Sequence, residues 1–182
     1  MEKIKWGIIG PGNIANNFAD GLTNSYSGQL VSIASKSEDR RKNFGDKYDI
    51  HSDFRFDSYE DIINSEHIDA IYISTPHNLH AEWTIKAAGK GKHVLCEKPG
   101  AVNLNEGKKI IETVKEAGVF YMEGFMYRCH PQIPKLLEII KNKTIGEIES
   151  IETSFGYDTG KTIPESRIFN KELTGGAILD VG

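Results

Sequence analysis

The chain has 182 residues, 38% apolar and 26% charged, with 18 glycines and 6 prolines, a balance that excludes disordered and collagen-like chains and fits a soluble globular protein. Its formal charge of −4, from 22 basic and 26 acidic residues, argues against nucleic acid as a whole-surface partner. No apolar run reaches the roughly 18 residues of a membrane span, and Cys96 and Cys129 are too few for a metal cluster or a disulfide framework. Met1 to Trp6 leads directly into a strand-like segment, leaving no room for a signal peptide, so the chain reads as cytoplasmic, with no metal site expected.

Short β-rich runs alternate with helical stretches, the pattern of a doubly wound parallel α/β sheet. Ile4 to Gly10 reads as the first strand, followed by a helix from Asn13 to about Ser25 with Ile14, Phe18 and Leu22 along one face. Leu30 to Ala34 is the second strand, and residues 38–48 are helical with Arg40, Phe44 and Tyr48 on one stripe. A short third strand falls between Tyr48 and Phe56. Ser58, with Asp61 three residues on, caps a short helix through Ile62 and Ile63.

Ala70 to Ser74 is a strand stopped by Thr75-Pro76, His80 to Ala88 a helix, and His93 to Glu97 a strand stopped by Pro99. Asn103 and Glu106 form a capping box, and Gly118 closes the helix they open. Val119 to Glu123 is the sixth strand, and Pro131 to Lys141 the next helix. The rhythm changes at Gly146: Glu147 to Phe155 alternates loosely and reads as the first strand of a second domain, while Gly175 to Gly182 reads as the start of a helix. The boundaries expected are therefore 1–145 and 146–182.

Gly10-Pro11-Gly12-Asn13-Ile14-Ala15 is a G-x-G-x-x-A loop between a strand and an amphipathic helix. The first glycine permits the tight turn, the second lets backbone N–H groups approach a pyrophosphate, and Ala15 allows close helix–strand packing. The helix N-terminus adds a favourable field for negative charge. Such a hexapeptide is a weak signal alone; its place in a βαβ unit strengthens it.

The stretch after the second strand selects the nucleotide. An Asp or Glu there would bond a ribose 2′-hydroxyl and repel a 2′-phosphate. This chain has Ser35-Lys36-Ser37, with Arg40 one turn on, and hydroxyls with two cations suit a 2′-phosphate. NADP(H) is the cofactor expected, with NAD the alternative if Glu38 or Asp39 reaches the ribose.

The fourth strand ends in Ser74-Thr75-Pro76-His77-Asn78-Leu79-His80 and the fifth in Glu97-Lys98-Pro99. Both lie at carboxyl ends of strands, where such sheets bind ligands. Ser74, Thr75, Pro76, His77, Asn78 and His80 are expected around the ribose and carboxamide, although a histidine that only caps the helix is an equal reading. Hydride transfer from an alcohol carbon needs a group to take the hydroxyl proton, and Lys98 is the candidate. A lysine before proline is also an ordinary exposed residue. Cys96 reads as core. Tyr127, Arg128 and His130 fall just past the sixth strand, on the presumed active face.

Together these motifs resemble the Gfo/Idh/MocA oxidoreductases over the whole chain, and Glu123 to Gln132 resembles the NADP-dependent xylose and trans-dihydrodiol dehydrogenase branch. The resemblance implies a Rossmann domain followed by the first elements of an incomplete α/β substrate domain. It implies that Lys98 contacts substrate and nicotinamide ribose, that Glu97 and Lys98 form a cofactor-contacting pair, and that Arg167 reaches the cofactor. Asp180 matches the acid of a D-x-G-x-[HY] motif whose partner would be residue 184, so Lys98 and Asp180 are the catalytic candidates. The activity implied is hydride exchange between NADP(H) and a hydroxyl or carbonyl carbon of a sugar or cyclic diol, this chain carrying mainly the cofactor half and by itself having little turnover. The full-length protein is then a homodimer or larger. The competing reading is a non-catalytic dinucleotide sensor of the same fold.

Overall fold

The computed structural model describes residues 2–156, 158, 160, 163–166, 169–176 and 178–179. In chain order the elements are β1 (Ile4–Ile9), α1 (Asn13–Thr23), β2 (Gly28–Ala34), α2 (Glu38–Lys47), β3 (Arg55–Phe56), α3 (Tyr59–Asn64) and β4 (Ala70–Ile73), then α4 (His80–Gly89), β5 (His93–Cys96), α5 (Leu104–Ala117), β6 (Tyr121–Glu123) and α6 (Gln132–Lys141). The strands form one sheet in the order β3-β2-β1-β4-β5-β6, with every neighbouring pair parallel. This is the doubly wound sheet expected, and its order reverses between β1 and β4.

Alternation of side chains along each strand divides the core into two layers. Ile9, Ala34, Ile71, Ile73, Val94 and Cys96 face α3 and α4, meeting Ile62, Ile63, Trp83 and Ala87. Ile8, Ile33 and Tyr72 face the other way, onto Ala15 and Ala19 of α1 and Phe44 of α2. All four residues of β4 are buried, as a central parallel strand covered on both faces requires. The Phe18 ring stacks on Tyr72 at 4.1 Å between centroids, so the α1 face is read by an aromatic contact as well as by area.

Local chemistry sets the helix ends. Ser58 accepts from the N–H groups of Glu60 and Asp61 at the start of α3. Asn103 Oδ1 accepts from Glu106 N at 3.0 Å, while Glu106 reaches back to Val102 N at 3.1 Å, closing the reciprocal box at α5. Gly118 ends α5 in the left-handed region at φ 64°. Val119 N then donates to Val114 O, which commits it to the helix end and starts β6 at Tyr121, later than the sequence suggests. At the opposite end of the sheet, Lys92 Nζ donates to Ser65 O and Ile68 O at 2.6 and 2.7 Å, tying the turn before β5 to the end of α3.

One expectation is corrected here. Residues 147–155 form no strand: they run without regular pairing, and Ile148, Ile151 and Phe155 are exposed. An extended segment gains ladder hydrogen bonds only beside a partner, and no described strand lies against it. Ile178 and Leu179 are helical, whereas Gly175 and Gly176 are not, so the helix expected from Gly175 begins after Gly176.

Candidate functional site

The reversal of strand order between β1 and β4 opens a crevice at the carboxyl ends of the strands, the place where such sheets take ligands. Three turns border it. The first is the glycine loop after β1. Gly10 has φ 91°, and a Cβ there would lie 3.0 Å from Ser74 O. Ser74 Oγ donates to Gly10 O at 2.7 Å, clamping this loop to the end of β4. Gly12 differs: among the described residues, a Cβ on it would meet no atom within 4 Å beyond its chain neighbours. Packing within the chain therefore does not call for glycine at position 12, whereas close approach by an external group does. Helix α1 starts at once with no acidic residue in its first turn, and its first N–H groups have no intrahelical acceptors.

The second turn follows β4 and the third follows β5. A cavity of about 560 Å³ is lined by Gly12, Asn13 and Ile14 from the first, Ser74 to His77 and His80 from the second, and Glu97 and Lys98 from the third. Ten of the positions singled out in the sequence thus share one space. Pro11 and Asn78 are not in that lining, and Gly10 supports it from beneath. Thr75 is 8% exposed and its hydroxyl oxygen has no partner among the described residues. A buried hydroxyl without a partner beside an open cavity fits a polar ligand group there.

Glu97 is fixed by Tyr72, whose hydroxyl donates to Glu97 Oε1 at 2.6 Å. Burial, and then this carboxylate, push the Tyr72 phenol well above its usual range. Burial likewise pushes the Cys96 thiol up to about 12, so Cys96 is a core residue and no nucleophile. His80 is 1% exposed. Its Nδ1 lies 2.8 Å from Pro99 O and its Nε2 2.8 Å from Thr75 O, so both polar atoms of the ring are committed to the backbone. His77 lies with Nδ1 3.4 Å from Thr174 O, bringing the late part of the chain to the rim.

Ser35, Lys36 and Arg40 gather outside the main cavity, past the end of β2. Ser35 is buried, and its hydroxyl accepts from Ser37 N at 3.3 Å. Lys36 and Arg40 are exposed. The Lys36 ammonium stands 5.8 Å from the Tyr59 ring centroid, and the Arg40 charge acts on the Tyr59 phenol, partly countering the upward push of burial. Arg41, unremarked in the sequence, donates to Ser35 O at 2.7 Å and holds this turn. Arg167 and Asp180 lie outside the described residues.

Several lining residues carried no clear sequence signal. Asn17 lines the cavity one helical turn past Asn13, and Gly124 and Met126 close its far side. Beyond β6, Tyr127, Arg128 and His130 are exposed and line neither cavity. Phe125, Met126 and Cys129 instead line a second, apolar cavity of about 260 Å³ with Phe18, Tyr72 and Leu95. Glu97 borders both spaces. Aromatic and methionine content there reads as wall material, and only the tertiary fold says which member faces inward.

Known proteins agree with this geometry. The trans-1,2-dihydrobenzene-1,2-diol dehydrogenase of Xenopus tropicalis is 34% identical over 180 residues, 98% of this chain and 53% of that protein. A D-xylose 1-dehydrogenase (NADP(+)) of Haloferax volcanii is 32% identical over 177 residues, 97% of this chain and 53% of that protein. The crystal structure of a 3-ketoreductase from Actinomadura kijaniata in complex with NADP superposes with a TM-score of 0.72 at 31% identity, covering 80% of this chain and 46% of that one. The chain spans about half the length of the curated relatives it matches. Residues 4–125, which carry the sheet, the glycine loop and the turns after β4 and β5, match the model of the oxidoreductase family with an NAD-binding Rossmann fold, and the chain belongs to that family, Gfo/Idh/MocA.

Proposed function

We propose that this chain is the cofactor-binding part of an NADP(H)-dependent oxidoreductase acting on a hydroxyl or carbonyl carbon of a sugar or cyclic diol. The observation that carries the reading is the buried Thr75 hydroxyl, without a partner among the described residues, on the wall of the 560 Å³ cavity that Gly12 also lines. Relatives named as a trans-dihydrodiol dehydrogenase and an NADP(+)-linked xylose dehydrogenase support the substrate class. Residues 1–145 would form the dinucleotide-binding domain and 146–182 the opening of a substrate domain, with dimerisation a property of the longer protein.

Gly10, Pro11, Gly12, Asn13 and Ile14 would hold the pyrophosphate through backbone N–H groups and the α1 N-terminus. Ser35, Lys36 and Arg40 would take the 2′-phosphate, two exposed cations and a hydroxyl supplying the charge-assisted contacts it needs. Ser74, Thr75, Pro76, His77 and Asn78 would line the ribose and carboxamide, with His80 beneath them. Bound nicotinamide would supply the hydride donor or acceptor. Lys98 would hold or release a proton at the substrate oxygen, where its charge also favours developing alkoxide. Glu97, oriented by Tyr72, would keep that side of the cleft polar. Arg167 would reach the cofactor and Asp180 would complete the proton path.

A fluorescence titration with NADPH and NADH tests the cofactor assignment. Tighter binding of NADPH is expected, and Lys36→Ser with Arg40→Ser should remove most of the preference. Tighter binding of NADH would overturn the 2′-phosphate site. In a protein carrying both this chain and the C-terminal half its relatives possess, Lys98→Met should abolish turnover and spare NADPH binding. Unchanged turnover would favour a sensor or another proton carrier.

A further inference from the structure

The two contacts of the His80 ring have a chemical consequence. Thr75 O and Pro99 O are backbone carbonyl oxygens, which accept hydrogen bonds and cannot donate. Both stand 2.8 Å from a ring nitrogen, one on each side of the imidazole. A neutral imidazole has one N–H; its other nitrogen would turn a lone pair toward a carbonyl lone pair. With His80 1% exposed, water has little room to relieve that repulsion. Only the ring carrying hydrogens on both nitrogens satisfies both contacts.

We infer that His80 is held as an imidazolium that bridges the turns after β4 and β5, a positioning residue that fixes the width of the cofactor cleft and places a positive charge beneath it. The inference deepens the cofactor reading proposed above and rests on it for its binding consequence; the protonation of the ring stands on the two carbonyl contacts alone.

Among the described residues, the titratable groups around the ring come from three elements. On the turn before α4, the His77 ring stands 5.6 Å away between centroids. From the end of β5, Glu97 and Lys98 line the same cavity, one charge of each sign. Next to Pro99, Gly100 N donates to Glu123 Oε1 at 2.7 Å, so a second carboxylate from β6 stands behind that turn. Across the cavity, the α1 start and Asn13 bring no titratable side chain. His80 is itself the first residue of α4, whose N-terminal field disfavours a cation. Two direct contacts with carbonyl oxygens act at shorter range than that field, and a hydrogen bond from a charged donor is the stronger kind.

The placement matters for binding because the same residue, Thr75, gives its carbonyl to His80 and keeps its hydroxyl for the cavity. Holding the carbonyl holds the backbone from which that hydroxyl projects. Pro99 O is locked by the other ring nitrogen, one residue from Lys98. A single ring thus sets two of the three turns that border the cleft.

The test is nitrogen NMR of the ring in chain labelled with 15N-histidine, the His80 signals being assigned by their loss in His80→Gln. Two ring nitrogens, each with a bonded hydrogen at neutral pH and without cofactor, are expected; a single N–H with one lone-pair nitrogen would overturn the inference. NADPH titration follows on His80→Phe and His80→Gln. The phenyl ring makes neither contact and should weaken NADPH by about tenfold or more, while the amide can restore one contact and should recover part of the loss. Unchanged NADPH affinity in a folded His80→Phe would sink the positioning role. Failure of the unsubstituted chain to bind NADPH would refute the cofactor reading, and the ring spectrum would still decide the charge. If His80→Phe does not fold, that spectrum and His80→Gln carry the decision.

Discussion

The central sheet and the segment after α6 both contain runs of isoleucine and aromatic residues, with opposite fates. Ile71 and Ile73 on β4 are 0% exposed, flanked by parallel neighbours and covered by helices. Ile151 and Phe155 are 75% and 74% exposed. The apolar side chains are of the same kind; the neighbours differ. Burial worth about 2 kcal/mol for such a side chain is realised only when another surface arrives to cover it. In the sheet, each strand supplies that surface and the hydrogen-bond partners of the next.

The contrast can be broken most forcefully with alkali. Cys96 ordinarily ionises near 9.0, and burial in the sheet holds it near 12. Tyr72 and Tyr121 are raised above 10.0 in the same way. Because these groups are raised in the folded state, the unfolded chain releases their protons first as pH climbs. Their contribution is therefore complete below about pH 9 and is lost above it, through pH 12 for the thiol. The expected outcome is a steep fall in urea midpoint across that window, softened by Cys96→Ala after allowance for its lost packing. A flat profile would mean that the β4–β6 side is wetter than described.

Next in size is Ile71→Ala, which should cost about 3 kcal/mol in denaturant melts, since the side chain is enclosed between β1, β5 and the α3–α4 layer. Asn103→Ala removes one half of a reciprocal cap on α5 and should cost about 1 kcal/mol. Smallest is Ile151→Ser, expected to change stability by no more than about 0.5 kcal/mol. A loss approaching that of Ile71→Ala would show that the late segment is packed against something in solution, and the contrast would fail.

The same contrast explains what could be read from the sequence. The glycine loop, the strand-ending Thr75-Pro76 and Lys98-Pro99 and the Asn103 box are local devices, in which residue type and spacing already contain the physics. The sheet order followed because alternating strands and helices leave few other arrangements. Residues 147–155 misled because alternation makes no strand where no described strand lies alongside. Beyond β6, Tyr127, Arg128 and His130 looked chemical, while Phe125, Met126 and Cys129 line the cavities; a short turn decides which side chains face inward, and no period announces it. His80 is the subtler case. Its proximity to the site was legible, but the loss of both ring nitrogens to carbonyls depends on Pro99 arriving from another strand.

The lengths of the strands have one more consequence. The flanking strands β3 and β6 are the shortest, two and three residues, while the four between them have four to seven. The sheet therefore ends on very little unpaired backbone at either side, a poor template for a strand from another molecule. Self-association of this chain would be driven by the exposed Ile148 and Ile151 side chains that follow α6, and charged substitutions there, rather than on β3 or β6, are the way to limit it.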